Sequence, residues 1–192
     1  MNEKSVSVRR MHNPLDLPDN LPIPMDDGTC DHLPGLSVPS RPLLATSGKR
    51  VDLSSLSGRT VVYSFPRTGR PGQPPPDGWD SIAGARGCTP QACSFRDHYQ
   101  ELLQAGANQI FGLSTQDSEY QREAVERLRL PFRMLSDAGL AFASALNLPT
   151  FEVEGETLLK RFTLVIDSGR TSKVFYPVFP PNKSGEETLQ WL

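Results

Sequence analysis

The spacing of apolar positions changes period several times after Thr60, and each change marks an element. Thr60 to Phe65 is a short apolar run typical of a buried strand. Thr89 to Gln104 instead places Ala92, Phe95, Tyr99, Leu102 and Leu103 on one helical face and stops at Gly106. Ile110 to Ser114 predicts the next strand, and Asp117 or Ser118 caps a helix running to about Arg129 with charges on its outer side. Phe132 to Leu135 reads as a short strand and Asp137 to Leu146 as a helix. Glu154-Gly155-Glu156 makes a hairpin turn between strands at 151–153 and 158–166. Asp167 to Arg170 turns the chain into a strand over 173–178, and Ser184 to Glu187 opens a last helix with a capping-box pattern. Strands alternating with helices, then a hairpin, then a helix, predict a layered α/β fold with a mixed central sheet flanked by helices.

Residues 1 to about 50 carry no such rhythm. They are rich in proline and weakly periodic, as expected of an extended arm that either wraps the domain or stays partly mobile. The N-terminal stretch contains Arg9 and Arg10 but is interrupted by Pro14 and Pro18, with no apolar run, so neither a secretory signal nor a membrane span is expected. We expect an N-terminal extension over 1–33 and one domain over 34–192, a chain long enough to bury a sizeable core. Formal net charge is −2 and no basic stripe faces outward for phosphates, which argues against a nucleic-acid partner. A cytoplasmic location is the expectation, and there a cysteine pair is more often catalytic than structural.

The chemistry concentrates in Cys88-Thr89-Pro90-Gln91-Ala92-Cys93, at the start of the predicted helix. A thiolate at a helix N-terminus is favoured by unpaired amide N–H groups and the positive end of the macrodipole, so its nucleophilicity at neutral pH rises. Arg86 and Arg96 add positive charge on either side. In an α-helix, residues five apart sit about 8.6 Å apart at Cα. A disulfide needs roughly 4.4–6.8 Å. Any bond between these two thiols therefore requires the helix start to unwind.

Spacing alone leaves a redox pair and an ordinary buried pair both open. Four intervening residues exclude the thioredoxin-type motif, which has two, and Cys30, His12, His32 and His98 do not supply the second cysteine pair of a structural zinc site. Cys30, the odd thiol, is either a small packed residue or an alternative partner for Cys88. A lone loop histidine such as His32 is expected to be a solvated or capping residue.

Four separated stretches resemble the peroxiredoxins, and specifically the peroxiredoxin Q, or bacterioferritin comigratory protein, subfamily. They are Val61 to Pro66, Gly87 to Asp97, the pair Gly112 to Thr115 with Leu135 to Asp137, and Lys160 to Asp167. The resemblance implies a thioredoxin-like fold. It implies a thiol-dependent peroxidase in which Cys88 is the peroxidatic cysteine, Cys93 the resolving one, and Arg161 the guanidinium that steadies the thiolate. A hydroperoxide substrate and a thioredoxin-like or glutaredoxin-like reductant follow from it, with no cofactor or metal, and a monomer or weak dimer. Pro66, Gly87 and Gln91 are implied as substrate-binding residues.

The sequence departs from the family pattern in one place. The family reads Pro-x-x-x-Thr-x-x-Cys, but the positions three and seven before Cys88 are Ala85 and Ser81. Pro66-Arg67-Thr68 is expected to supply those groups instead, with residues 69–85 inserted before the cysteine and Thr68 orienting the peroxide. The insertion is rich in glycine and proline, with Trp79 and Ile82 as anchors, and reads as an ordered surface loop tolerated without a chemical role. Two other readings of the same residues stand beside peroxidase activity: a disulfide reductase or isomerase, and a redox-sensing module of thioredoxin-like fold that does not turn over.

Overall fold

The computed structural model describes Leu15 and residues 17–192. His12, Arg9, Arg10 and Pro14 lie outside the described residues.

Among the described residues, nine strands and five α-helices follow one another in the order β1 (Leu43–Ala45), β2 (Arg50–Val51), β3 (Arg59–Ser64), α1 (Cys88–Asp97), α2 (Tyr99–Gln104), β4 (Ala107–Ser114), α3 (Ser118–Leu128), β5 (Arg133–Ser136), α4 (Ala141–Leu146), β6 (Thr150–Val153), β7 (Glu156–Leu159), β8 (Thr163–Asp167), β9 (Arg170–Phe175) and α5 (Ser184–Trp191). Seven strands form one mixed sheet ordered β2-β1-β5-β4-β3-β8-β9, while β6 and β7 pair as a separate hairpin. β3, β4 and β5 run parallel, and β8 is antiparallel to β3.

Alternation along β3 divides the core into two. Val61, Tyr63 and Phe65 face a cluster with Cys88, Ala92, Phe95, Leu102 and Ile110. Val62 faces the other side with Leu33, Phe111, Leu113, Phe142 and Leu164. A strand buried on both faces is apolar on both, which is why Val61 to Tyr63 shows a run and no period of two, and the buried Ser64 hydroxyl is satisfied by the Lys160 carbonyl at 2.9 Å.

The structure differs from the pattern-based expectation at five places. The helix expected over 89–104 is two helices broken at His98, whose ring nitrogen Nδ1 bonds the Ser94 carbonyl at 3.0 Å. The strand expected over 158–166 is interrupted: β7 ends at Leu159 and β8 begins at Thr163, so the two belong to different sheets. The helix expected from Asp137 begins at Ala141, because the Asp137 carboxylate accepts from the N–H groups of Phe142 and Ala143 and caps the helix from a distance. Ser184 is not a capping side chain; its hydroxyl turns inward towards Thr163 and Gln91. Finally, the proline-rich arm contributes β1 and β2 to one edge of the sheet and buries Leu33 and Val38 in the core. No helix among the described residues is long and apolar enough to cross a membrane.

Candidate active site

The C-terminal end of β3, the link before β8 and the start of α1 meet at one end of the sheet's central strands. Tyr63 stands opposite Thr163 in antiparallel register, so the two residues preceding β8 lie level with the end of β3. Alternation then sends Phe162 to the far core and Arg161 to the side of Cys88. Gly87 precedes α1 in the left-handed region at φ 105°. A Cβ there would lie 2.3 Å from Pro181 Cγ, so only glycine lets the segment before α5 close against the cysteine turn. The same packing recurs where the Gly185 N–H donates to Ser94 Oγ at 3.0 Å.

Cys88 is the first residue of α1 and is 4% exposed. Its sulfur receives the Arg161 Nη2–H at 3.3 Å and the backbone N–H of Arg67 at 3.4 Å, and it lies 3.6 Å from the Ala85 carbonyl oxygen. Arg161 is 3% exposed and otherwise held by neutral acceptors: Gln91 Oε1, the Ala85 carbonyl at 3.1 Å and the Arg86 carbonyl at 3.2 Å. None of these is a carboxylate. The guanidinium charge is therefore left for the sulfur, since a buried cation favours any anion within reach.

Gln91 is fully buried, and its amide nitrogen donates to Ser184 Oγ at 3.5 Å while Oε1 takes the Arg161 Nη1–H. Thr163 Oγ1 lies 3.4 Å from that same Ser184 oxygen. Thr163 and Ser184 thus support the arginine through Gln91. The sequence carried no local signal for either, because the relay joins residues from three elements.

Pro66 is buried after β3, and its carbonyl accepts from Ser114 Oγ at 3.1 Å. Thr68 is also buried, but its hydroxyl donates to Gln116 Oε1 at 3.1 Å and its N–H to the same oxygen at 2.7 Å. The polar contact this segment delivers to the sulfur is the Arg67 N–H. Ser81 is exposed, and Ala85 is buried with its carbonyl at the site. Of the two flanking arginines, Arg86 pairs with Asp80 at 3.0 Å beside Cys88, whereas Arg96 pairs with Asp97 at 2.8 Å and bears on Cys93.

Cys93 lies within α1 and is partly buried against the Tyr63 core. Burial pushes its thiol upward, with the Arg96 charge opposing. Cys30 packs on the opposite side of the sheet from Cys88. Burial, reinforced by Asp27 and Asp26, pushes the Cys30 thiol up to about 12. His32 Nε2 bonds the Leu146 carbonyl at 2.8 Å, which ties the arm to the end of α4.

The redoxin family profile matches residues 30–189. The chloroplastic peroxiredoxin Q of Sedum lineare is 34% identical over 160 residues, 82% of this chain and 76% of that protein. The chain belongs to the peroxiredoxins of the redoxin family. It is accordingly an oxidoreductase of the thiol-dependent peroxidase class. The chloroplastic peroxiredoxin Q of Populus jackii is also 34% identical over 160 residues, spanning 82% of this chain and 67% of that relative. Among solved structures, peroxidoxin BcpB of Mycobacterium tuberculosis superposes with a TM-score of 0.66 at 25% identity, covering 83% of this chain and 96% of that one.

Proposed function

We propose that the chain reduces hydrogen peroxide and small organic hydroperoxides through a sulfenic acid on Cys88, which Cys93 then resolves within the same chain. The observation that carries this reading is the contact between Cys88 Sγ and Arg161, a buried guanidinium with no carboxylate partner in its hydrogen bonds. In the first step the Cys88 thiolate attacks the terminal peroxide oxygen. An S–O bond forms, the O–O bond breaks, the sulfur gives up two electrons, and the alkoxide or hydroxide leaves and takes a proton. Arg161 and the Arg67 N–H are donors placed where negative charge is redistributed, and Arg161 Nε has no partner among the described residues. In the second step the Cys93 thiolate attacks the sulfur of the Cys88 sulfenic acid, an S–S bond forms as the S–O bond breaks, and hydroxide departs and takes a proton from solvent to become water, leaving a disulfide that a thioredoxin-like or glutaredoxin-like dithiol reduces by exchange.

Within this reading Gln91 and Gly87 are positioning residues, the first for Arg161 and the second for the cysteine turn. Thr68 acts through its three bonds with Gln116, which hold the segment that carries the Arg67 N–H. The proposal extends to a cytoplasmic setting, where free thiols persist.

Mass spectrometry after stoichiometric peroxide tests the assignment. Cys88→Ser should form no oxidised cysteine in step with peroxide loss, while Cys93→Ser should consume one equivalent and accumulate sulfenic and then sulfinic acid on Cys88. Oxidation appearing first on Cys93 would reverse the two roles. Insulin disulfide reduction outpacing peroxide reduction would favour a disulfide reductase.

A further inference from the structure

The insertion over 69–85 does not lie passively on the surface. Arg70, Pro74, Pro75, Pro76 and Trp79 of the insertion line one cavity together with Cys88 and Thr89. Resting on the reading of Cys88 as the peroxide-reacting thiol, we propose that this proline-rich wall sets substrate size. It admits hydrogen peroxide and short-chain alkyl hydroperoxides and excludes hydroperoxides with bulky carbon skeletons.

Three observations support it. The first is volume, since the cavity measures about 40 Å³. A single water needs roughly 10–15 Å³, and pockets that take drug-sized ligands run to about 300–1,000 Å³. A peroxide group with a few further atoms fills the space.

The second is rigidity. The Gly69 carbonyl accepts from Arg127 at 2.9 Å, Arg70 lies 4.1 Å over the Tyr120 ring, and the Asp77 N–H donates to Glu154 at 3.2 Å. Trp79 is 5% exposed and wedges against Phe151 of the β6–β7 hairpin, and Asp80 pairs with Arg86. Three consecutive prolines with fixed φ span the part between these anchors. Widening the opening therefore means breaking packed contacts.

The third concerns charge. Arg67, Arg70 and Arg86 all border the cavity, yet each has a carboxylate nearby: Glu156 at 3.6 Å, Glu123 at 3.8 Å and Asp80 at 3.0 Å. Arg67 and Arg86 are thus offset by carboxylates of their own, whereas Glu123 is shared with Arg127, which it meets at 2.7 Å; neutral hydroperoxides of increasing bulk isolate the steric effect of the wall from the charge left on Arg70.

Stopped-flow oxidation of the reduced protein by hydrogen peroxide, tert-butyl hydroperoxide and cumene hydroperoxide provides the test. It would use the parent, the double variant Pro75→Ala with Pro76→Ala, and a variant in which Gln73 to Asp77 is replaced by a short glycine-serine link. Thermal melts and the hydrogen peroxide rate report whether each variant is folded, and the milder double substitution keeps the test alive should the replacement unfold. The parent should favour hydrogen peroxide, and the cumene-to-hydrogen-peroxide ratio of second-order rate constants should rise at least roughly tenfold when the wall is lowered, in the range that removing steric exclusion in a pocket produces. An unchanged ratio in folded variants, or a parent that already prefers cumene hydroperoxide, would overturn the wall while leaving the thiol peroxidase reading intact. A parent inert to all three peroxides would instead refute that reading, and the wall with it.

Discussion

The guanidinium of Arg161 stands 3.3 Å from the sulfur of Cys88 across 73 positions of sequence, and both side chains are almost wholly buried. The contact exists because β8 returns antiparallel along β3 while α1 begins at the same end of these two strands. A buried cation without a carboxylate is costly to hold, and the neutral acceptors around Arg161 satisfy its N–H groups without cancelling its charge.

Arg161→Ala should slow the oxidation of Cys88 far more than the reduction of the disulfide by dithiol. Losing one donor aimed at developing charge costs about 2.7–4 kcal/mol, which corresponds to a rate loss of about 10²–10³. Gln91→Leu should produce a smaller loss in the same step, because the arginine stays but loses an anchor. Stopped-flow oxidation rates equal to the parent's for Arg161→Ala would remove the residue from the chemistry.

Thr68→Val should impair Cys88 oxidation, whereas Ser81→Ala should not. The Thr68 hydroxyl bond to Gln116 is lost in the first variant, and the segment bearing the Arg67 N–H is loosened. Ser81 is exposed on the insertion and has no such connection. Gln116→Ala should reproduce the effect of Thr68→Val, and a damaging Ser81→Ala would contradict the assignment.

Alkaline stability should depend on Cys30. Its folded-state pKa is raised from 9.0 to about 12, so between those values the unfolded chain has lost a proton that the folded chain keeps. The folded state then binds more protons, and stability falls as pH rises through that window. Below about pH 9 the effect vanishes. Denaturant titrations at pH 8 and at pH 10.5 should show the loss in the parent and a smaller loss in Cys30→Ala, and parallel losses in both proteins would contradict it.

Oxidation should melt the start of α1. Cys88 and Cys93 occupy one helix, where positions five apart are about 8.6 Å apart at Cα, and a disulfide requires about 6 Å. Hydrogen exchange across residues 86–100 should therefore be faster in the disulfide form, and Trp79 fluorescence should shift as its neighbouring turn unwinds, best seen with Trp191→Phe. Equal protection in the two redox states would point to a bond between chains. Cys30 packs across the sheet from Cys88 and is poorly placed to substitute.

The elements that local pattern governs were legible in the chain itself. The apolar run of β3, the capped helix α3 with Asp117 accepting from the Tyr120 N–H, and the placement of Cys88 at a helix start all follow from neighbours within a few residues. Short motifs and family resemblance single out Cys88, Cys93 and Arg161, and the structure brings Arg161 against Cys88. The break at His98 was hidden because the apolar face runs through it, and β1 and β2 were hidden because very short edge strands in a proline-rich arm have no period to detect. What only the tertiary structure decided is how distant groups share one site: the Gln91, Ser184 and Thr163 relay behind Arg161, the Arg67 N–H on the sulfur, and the insertion standing over Cys88. Local spacing determines which face of an element is apolar, whereas the meeting of three loops at one end of the central strands depends on strand order and register, and those are set by contacts between residues far apart in the chain.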